Sequence, residues 1–244
     1  MHRALVTGAA SGIGRAIAAR LEADGAKVLA ADLQPDPDGP GDPFEADLTT
    51  RAGNRAAVDA AIDRFGGLDG VVANAGIQHV APVEDFPEDD WDRVIALLLT
   101  SPFLLAKYAW PALREAEDAR FIAIASAHGL VASPYKSAYV AAKHGVVGLV
   151  KTLALEGADQ GVLTSAVCPG FVRTALVEQQ IADQARTHGV PEERVLEGVI
   201  LEPHAVKRLI EPEEVADVVA FLGGPGGRAF SGAAVPMDLG WTAR

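Results

Sequence analysis

Cysteine is nearly absent. A single one, Cys168, occurs in 244 residues, so no internal disulfide can form and the chain reads as one kept in a reducing compartment. Positive charge is also short: 21 Lys and Arg stand against 33 Asp and Glu, a formal net charge of -12. That balance repels nucleic acid and anionic membrane surfaces at long range, so neither is expected as a partner. A small anionic substrate stays open, because it answers to the local field. No unbroken apolar run reaches the roughly 18 residues that suggest a membrane span. There is no internal repeat and no linker of domain scale. The first apolar run begins at Ala4, ahead of which a signal peptide's charged and apolar regions do not fit, so a cytoplasmic location is expected.

What is present suits one large α/β unit spanning residues 1–244. Hydrophobic residues make up 49% and charged residues 22%, enough for a sizeable buried core without the signature of disorder. Apolar runs near 3–7, 27–31, 70–73, 120–125, 162–167 and 233–237, with a short one near 44–46, read as buried strands. Amphipathic stretches near 13–24, 51–65, 88–114, 137–156, 175–187 and 212–222 read as helices between them. The alternation predicts a three-layer, Rossmann-like α/β fold with a single parallel seven-stranded sheet. One interval breaks the rhythm: Pro35, Pro37, Pro40 and Pro43 with Gly39 and Gly41 predict coil between the second and third strands.

Directly after the first strand come Thr7, Gly8, Ser11, Gly12, Ile13 and Gly14, and a helix follows. Glycines there let the backbone turn sharply and approach a pyrophosphate, which the helix N-terminus stabilises. A purely structural turn would use the same glycines. Asp32 ends the second strand, 18 residues after Gly14, where a carboxylate accepts from adenosine ribose hydroxyls and repels a 2'-phosphate. The cofactor expected is therefore NAD, although Asp32 could simply begin a turn. Asp47 and Leu48 could bracket the adenine; the neighbouring Thr49 or Thr50 could equally cap a helix.

Tyr139 and Lys143 stand four apart on a predicted helix and so share a face. Lowering a phenol pKa from about 10 to about 7 takes roughly 4 kcal/mol. A unit charge some 4 Å away supplies about that much at an effective dielectric near 20. The pair is thus a candidate acid/base near neutral pH. Ser126 follows the strand near 120–125, at the sheet edge where open α/β folds bind ligands, and its hydroxyl could hold a substrate oxygen.

With Thr7-Gly8, Gly12 and Gly14, Asn74-Ala75-Gly76, Ser126, Tyr139 with Lys143, and Pro169-Gly170 with Thr174, the chain resembles the short-chain dehydrogenase/reductases along nearly its whole length. The resemblance implies a homotetramer in which Tyr139 exchanges the proton and Ser126 positions the carbonyl. It also implies that Lys143 binds nicotinamide ribose and depresses the Tyr139 pKa. Asn74 and Gly76 would line the cofactor cleft, and Pro169, Gly170, Val172 and Thr174 would hold the carboxamide.

Segments 74–87 (NAGIQHVAPVEDFP), 126–139 (SAHGLVASPYKSAY) and 177–186 (VEQQIADQAR) are most similar to the branch that interconverts D-3-hydroxybutyrate and acetoacetate. This finer resemblance implies that Gln78, His128, Lys136 and Gln180 hold the substrate carboxylate, with Trp241 near the pocket and a lid at about 174–207. Chemistry supports that set, since a carboxylate taken out of water needs cations and donors in place of its hydration. The chain departs from the family in carrying Leu98 where an Asn usually sustains a proton relay, and Leu239 where a Gly is common. Leu98 either leaves the work to a backbone carbonyl or weakens catalysis; slower but retained turnover is the expectation. Two other readings stay open: a dehydrogenase of another hydroxy acid or a sugar alcohol, and an NAD-binding sensor or scaffold.

Overall fold

The structure is a computed structural model that describes residues 1–179 and 181–243. Seven strands form one sheet: β1 (Arg3–Thr7), β2 (Lys27–Asp32), β3 (Asp42–Glu45), β4 (Gly70–Ala73), β5 (Ala119–Ile124), β6 (Val162–Pro169) and β7 (Ala234–Met237). They lie in the order β3-β2-β1-β4-β5-β6-β7, and every pairing is parallel. The helices are α1 (Gly12–Ala23), α2 (Arg51–Phe65), α3 (Glu88–Ile95), α4 (Ser101–Leu113), α5 (Ser137–Gly157), α6 (Ala175–Gln179), α7 (Ile181–His188), α8 (Glu192–Val195) and α9 (Pro212–Gly223).

Side-chain alternation along the strands builds the three layers. Ala4, Val6, Val28, Ala30, Val72 and Ile122 face one way, where Ile17 and Leu21 of α1 and Val215 and Val219 of α9 cover them. Leu5, Leu29, Val71, Phe121 and Ala123 face the other way, against α2, α4 and α5. A parallel sheet covered on both faces needs apolar residues at consecutive positions, which is why its strands read as unbroken apolar runs. Strand prolines sit where a missing N–H costs no interior ladder bond: Pro43 in β3 and Pro236 in β7, the two edge strands, and Pro169 as the last residue of β6. The chain runs outward from β1 to β3 and then crosses to β4, so a crevice opens at the carboxyl ends of β1 and β4.

Residues 33–41 contain no helix, in keeping with their prolines, and β3 starts two residues earlier than the apolar reading of 44–46 placed it. The predicted helix over 88–114 is interrupted by a π-helical turn at Ala96–Thr100. The Ser101 N–H reaches back to the Ala96 carbonyl there, and Leu98 at its centre is buried. By length and composition, and against the expectation that none would, two helical stretches could cross a membrane: Glu88–Leu113 and Ser137–Gln160. Their sheet-facing sides instead fill the core, with Leu105, Ala109 and Leu113 from one and Val146, Val150 and Leu153 from the other.

Arg120 is an unusual core residue, almost wholly buried on β5. Its guanidinium donates to the carbonyls of Leu222, Ala119 and Gly224 and to the Asp118 carboxylate, tying the start of β5 to the end of α9. Arg120→Met keeps the length of the side chain but removes every donor, which should cost about 2–4 kcal/mol of unfolding free energy. Urea denaturation followed by circular dichroism should show the midpoint falling with an unchanged slope.

Candidate active site

The crevice holds two adjoining clefts that share Ile13, Asn74, Gly76, Thr174 and Leu176. The larger, of about 1520 Å³, is lined by Gly8, Ser11, Gly12, Asp32, Asp47 and Leu48. The smaller, of about 700 Å³, is lined by Gln78, Ser126, His128, Lys136, Tyr139, Lys143, Pro169, Gly170, Val172 and Trp241. Residues from every part of the chain thus meet along one groove over the strand ends.

The first turn of α1 is built to take an anion. Ser11 makes no side-chain cap, whereas Thr50 caps α2 and Glu211 with Glu214 forms a capping box on α9. The first N–H groups of α1 are left for whatever occupies the cleft. Close approach is enforced beneath it: a Cβ on Gly14 would stand 2.0 Å from the Gly8 carbonyl oxygen, and Gly8 itself has φ +66°. Thr7 and Gly14 lie behind the groove and shape it. The Thr7 hydroxyl accepts from the Asn74 and Ala75 N–H groups, and the Asn74 amide donates to the Thr7 carbonyl, fastening β1 to the end of β4. The Asp32 carboxylate accepts from the Ala10 and Gln34 N–H groups at the rim of the larger cleft. These features fit the pyrophosphate and adenosine ribose of a dinucleotide.

In the smaller cleft, α5 carries Tyr139 and Lys143 to the same cavity. The Lys143 ammonium donates to the Ile124 carbonyl at 2.7 Å and lies 5.5 Å from the Tyr139 ring centroid. Burial lowers the Lys143 pKa to about 8. Tyr139 is shifted upward, because burial disfavours its phenolate more than the hydrogen bond from Ser126 favours it. The lowering expected from Lys143 is therefore not expressed, because its ammonium is spent on a backbone carbonyl.

Lys136 is 4% exposed, and among the described residues no carboxylate pairs with it. Burial takes its pKa to about 8, and the ammonium rests 4.8 Å from the centroid of Phe171. The preceding residue, Tyr135, is held at φ +67°, a conformation L residues rarely adopt, and its carbonyl accepts from the Ala81 N–H. Backbone strain at the residue before Lys136 thus goes with the placement of that cation in the cavity. The side-chain oxygen of Gln78 is buried with no hydrogen-bond partner among the described residues. Amide oxygen and nitrogen exchange places freely in assignment, so this atom marks a polar position awaiting a ligand. His128 is turned elsewhere: Nε2 meets the Ser133 hydroxyl at 2.9 Å and Nδ1 faces the Ser126 hydroxyl at 3.5 Å. Its pKa lies well below the usual imidazole value, first because of burial and then because Lys136 and His144 are nearby.

Gln180 lies outside the described residues. Phe171 escaped sequence reasoning altogether. It stacks on Trp241 at 5.6 Å and 6°, and together with His128 the two rings wall the pocket. Only its place directly after Pro169-Gly170 could have pointed to it. Arg93 and Leu33, which border the larger cleft, carried no signal at all.

Comparison with known proteins agrees with this groove. The family profile described as enoyl-(acyl carrier protein) reductase, a short-chain alcohol dehydrogenase profile, matches residues 8–242. The chain is 44% identical to D-beta-hydroxybutyrate dehydrogenase of Rhizobium meliloti, over 99% of this chain and 98% of that protein. It is 42% identical to D-beta-hydroxybutyrate dehydrogenase of Cupriavidus necator, over the same shares. Ligand-free aldohexose dehydrogenase of Thermoplasma acidophilum superposes with a TM-score of 0.89 at 30% identity, covering 99% of this chain and 94% of that one. With the fold, the glycine turn and the Ser126, Tyr139 and Lys143 cluster in one cleft, the chain belongs to the short-chain dehydrogenase/reductase family.

Proposed function

We propose that this protein is an NAD-dependent dehydrogenase interconverting D-3-hydroxybutyrate and acetoacetate. The observation that carries the reading is the buried Lys136 ammonium, which no carboxylate pairs among the described residues, in the same small cavity as Ser126, Tyr139 and Lys143. The two D-beta-hydroxybutyrate dehydrogenases named above support the same substrate.

Lys136 is the natural seat for a carboxylate, because an anion leaving water needs a charge and donors in exchange. Gln78 contributes its amide, and Gln180 belongs to the same proposed set. Phe171, Trp241 and His128 close the apolar side, leaving room for a short chain. With the carboxylate so held, Ser126 takes the substrate oxygen and Tyr139 removes the hydroxyl proton. NAD supplies the acceptor for the hydride that leaves the same carbon. The uncapped α1 turn with Ser11, Gly12 and Ile13 would hold the pyrophosphate, Asp32 the adenosine ribose, and Asp47 with Leu48 the adenine. Asn74, Gly76, Pro169, Gly170, Val172, Thr174 and Lys143 would surround the nicotinamide riboside. The carboxylate of Asp32 excludes a 2'-phosphate, which favours NAD over NADP.

The segment after Thr174 is the proposed lid. It leaves and rejoins the fold at one place, where Val172 pairs with Ile210, and it carries its own apolar cluster of Val177, Ala185, Val195, Ile200 and Leu209. A homotetramer and a cytoplasmic location complete the proposal, supported respectively by the family resemblance and by Cys168 standing as a free thiol. A neutral sugar, as in the aldohexose dehydrogenase, would leave the Lys136 charge without a partner, and a carrier-bound thioester presents no carboxylate to it.

Purified protein should reduce NAD with D-3-hydroxybutyrate and not with the L enantiomer; equal rates, or no rate, would overturn the assignment. Tyr139→Phe should lower kcat by about 100-fold or more while NAD still binds, checked by steady-state kinetics and NADH fluorescence. Lys136→Met should raise the KM for the acid on the order of 10- to 100-fold. In the unsubstituted protein that KM should climb as pH rises through about 8, where the free ammonium loses its proton, and in the variant the climb should vanish.

A further inference from the structure

His204 sits where the proposed lid rejoins the fold, and it is wholly buried. Its Nε2 accepts from the Phe171 N–H at 3.4 Å. Its ring meets the rings of Phe171 at 5.9 Å and of Trp241 at 5.6 Å, inclined by 57° and 61°. The imidazole lies so close over the turn after β6 that a Cβ on Gly170 would stand 2.7 Å from Nε2. One side chain thus touches the end of the lid, the turn at Gly170 and Phe171 beside the cofactor cleft, and the turn that carries Trp241.

Packing alone does not account for an imidazole here. Nδ1 is buried without a hydrogen-bond partner among the described residues. Because Nε2 accepts, the neutral ring carries its proton on Nδ1, so the protein buries a donor that an apolar ring of similar size would not have. What the imidazole supplies in return is an acceptor for one backbone N–H. That N–H belongs to Phe171, whose ring stacks on Trp241 and lies 4.8 Å from the Lys136 ammonium. Direct contacts therefore lead from His204 to the seat proposed for the substrate carboxylate.

We propose that His204 is a positioning residue: as a neutral imidazole it holds the Phe171 N–H and keeps the Phe171 and Trp241 wall in place for the acid, and on protonation it lets that wall go. The proposal rests on the dehydrogenase reading above and adds to it a pH-dependent control of substrate affinity. A protonated Nε2 is a donor, and it would face another donor at Phe171. The charges around the ring are largely engaged elsewhere. The Asp238 carboxylate accepts from the Gly240 and Thr242 N–H groups and the Thr242 hydroxyl. Lys207 donates to the Leu201 and Glu202 carbonyls, and the Arg208 guanidinium pairs with Glu214. From the pocket, His128 meets both aromatic rings and Lys136 meets that of Phe171. Burial sets the balance and lowers the His204 pKa from the ordinary 6.5; the Arg208 backbone and Asp238 pull it up by less, and Lys207 pulls it down. The ring is therefore neutral at pH 7, and the change falls on the acid side of 6.5.

His204→Phe keeps a planar ring and removes the acceptor, whereas His204→Gln can place an amide oxygen near the Nε2 position and does not titrate. Both are compared with unsubstituted protein over a range of pH in two measurements. Hydrogen exchange read by mass spectrometry on the peptide containing Phe171 reports the hold without any substrate. Steady-state kinetics with D-3-hydroxybutyrate at saturating NAD reports its effect. Near neutral pH, His204→Phe should exchange the Phe171 amide at least about tenfold faster and raise the KM for the acid about tenfold, with kcat changed less than about threefold and the thermal midpoint no lower. His204→Gln should recover most of both losses. In unsubstituted protein KM should rise as pH falls below 6.5, and in His204→Gln that rise should be absent. Lys136 and His128 are present in both proteins, so the difference between the two profiles belongs to His204. Unchanged Phe171 exchange in His204→Phe, or an acid rise in KM that persists in His204→Gln, would overturn the proposal. Should His204→Phe fail to fold, the two pH profiles decide alone. If unsubstituted protein fails to oxidise the hydroxy acid, the substrate assignment falls, and protection of the Phe171 amide, lost below 6.5 only where His204 is present, still decides whether the neutral imidazole holds the wall.

Discussion

A hydrogen bond of 2.7 Å between the Lys143 ammonium and the Ile124 carbonyl joins helix α5 to the end of strand β5, and the chemistry of the cleft depends on that joint. Its position sets the register of the helix against the sheet. One turn earlier on α5 Tyr139 reaches the cavity, and two residues beyond Ile124 the chain delivers Ser126 beside it. The contact demands a near approach of backbones: a Cβ on Gly129 would lie 2.8 Å from the Lys143 carbonyl oxygen. It also consumes the charge. An ammonium satisfied by a backbone oxygen is held in place, but it does less to ionise the neighbouring phenol than a free one would.

The electrostatics of the pocket are local and run opposite to those of the molecule. The formal net charge is -12, yet the small cleft gathers Lys136 and Lys143, both buried and both with pKa values near 8. Burial is what disfavours the protonated form of each, and an anionic substrate relieves that cost. Cys168 does not contribute an anion, because burial pushes its thiol up to about 11. His128 stays neutral for the same reason that the lysines are depressed, so positive charge is concentrated on long, directed side chains.

What could be read from the sequence was whatever follows from short-range periodicity. Apolar runs marked the strands, and the prolines and glycines of 33–41 marked the coil, because each feature acts on its own backbone. The helix over 88–114 was read as continuous, since residues 96–100 (ALLLT) are apolar like the α4 sequence that follows and contain no helix breaker. Tyr139, Lys143 and Ser126 were legible as a pair on one face and a residue at a strand end. The bond from Lys143 to the Ile124 carbonyl was not, because the direction of the Lys143 side chain is set by β5 and not by its own helix. Phe171 and His204 were missed for a related reason. Each acts through a neighbour distant in the chain, Phe171 through Trp241 and Lys136, His204 through the backbone of Phe171.

The second departure from the family pattern, Leu239, shows how the far end of the chain takes part in the site. Leu239 has φ +55°, which a glycine would adopt freely and a leucine adopts at a cost of roughly 1 kcal/mol. Its carbonyl accepts from the N–H groups of both Ala205 and Val206, at the end of the proposed lid. The next turn is locked by Asp238, whose carboxylate accepts from the Gly240 and Thr242 N–H groups and so presents Trp241 to Phe171 and His128. Strain at Leu239 is thus held in place by contacts on both sides, with its side chain packed against the sheet. The same few residues that finish β7 anchor one end of the lid and form one wall of the pocket. The backbone hydrogen bonds from Ala205 and Val206 to Leu239 thus couple the base of the proposed lid to the turn that carries Trp241.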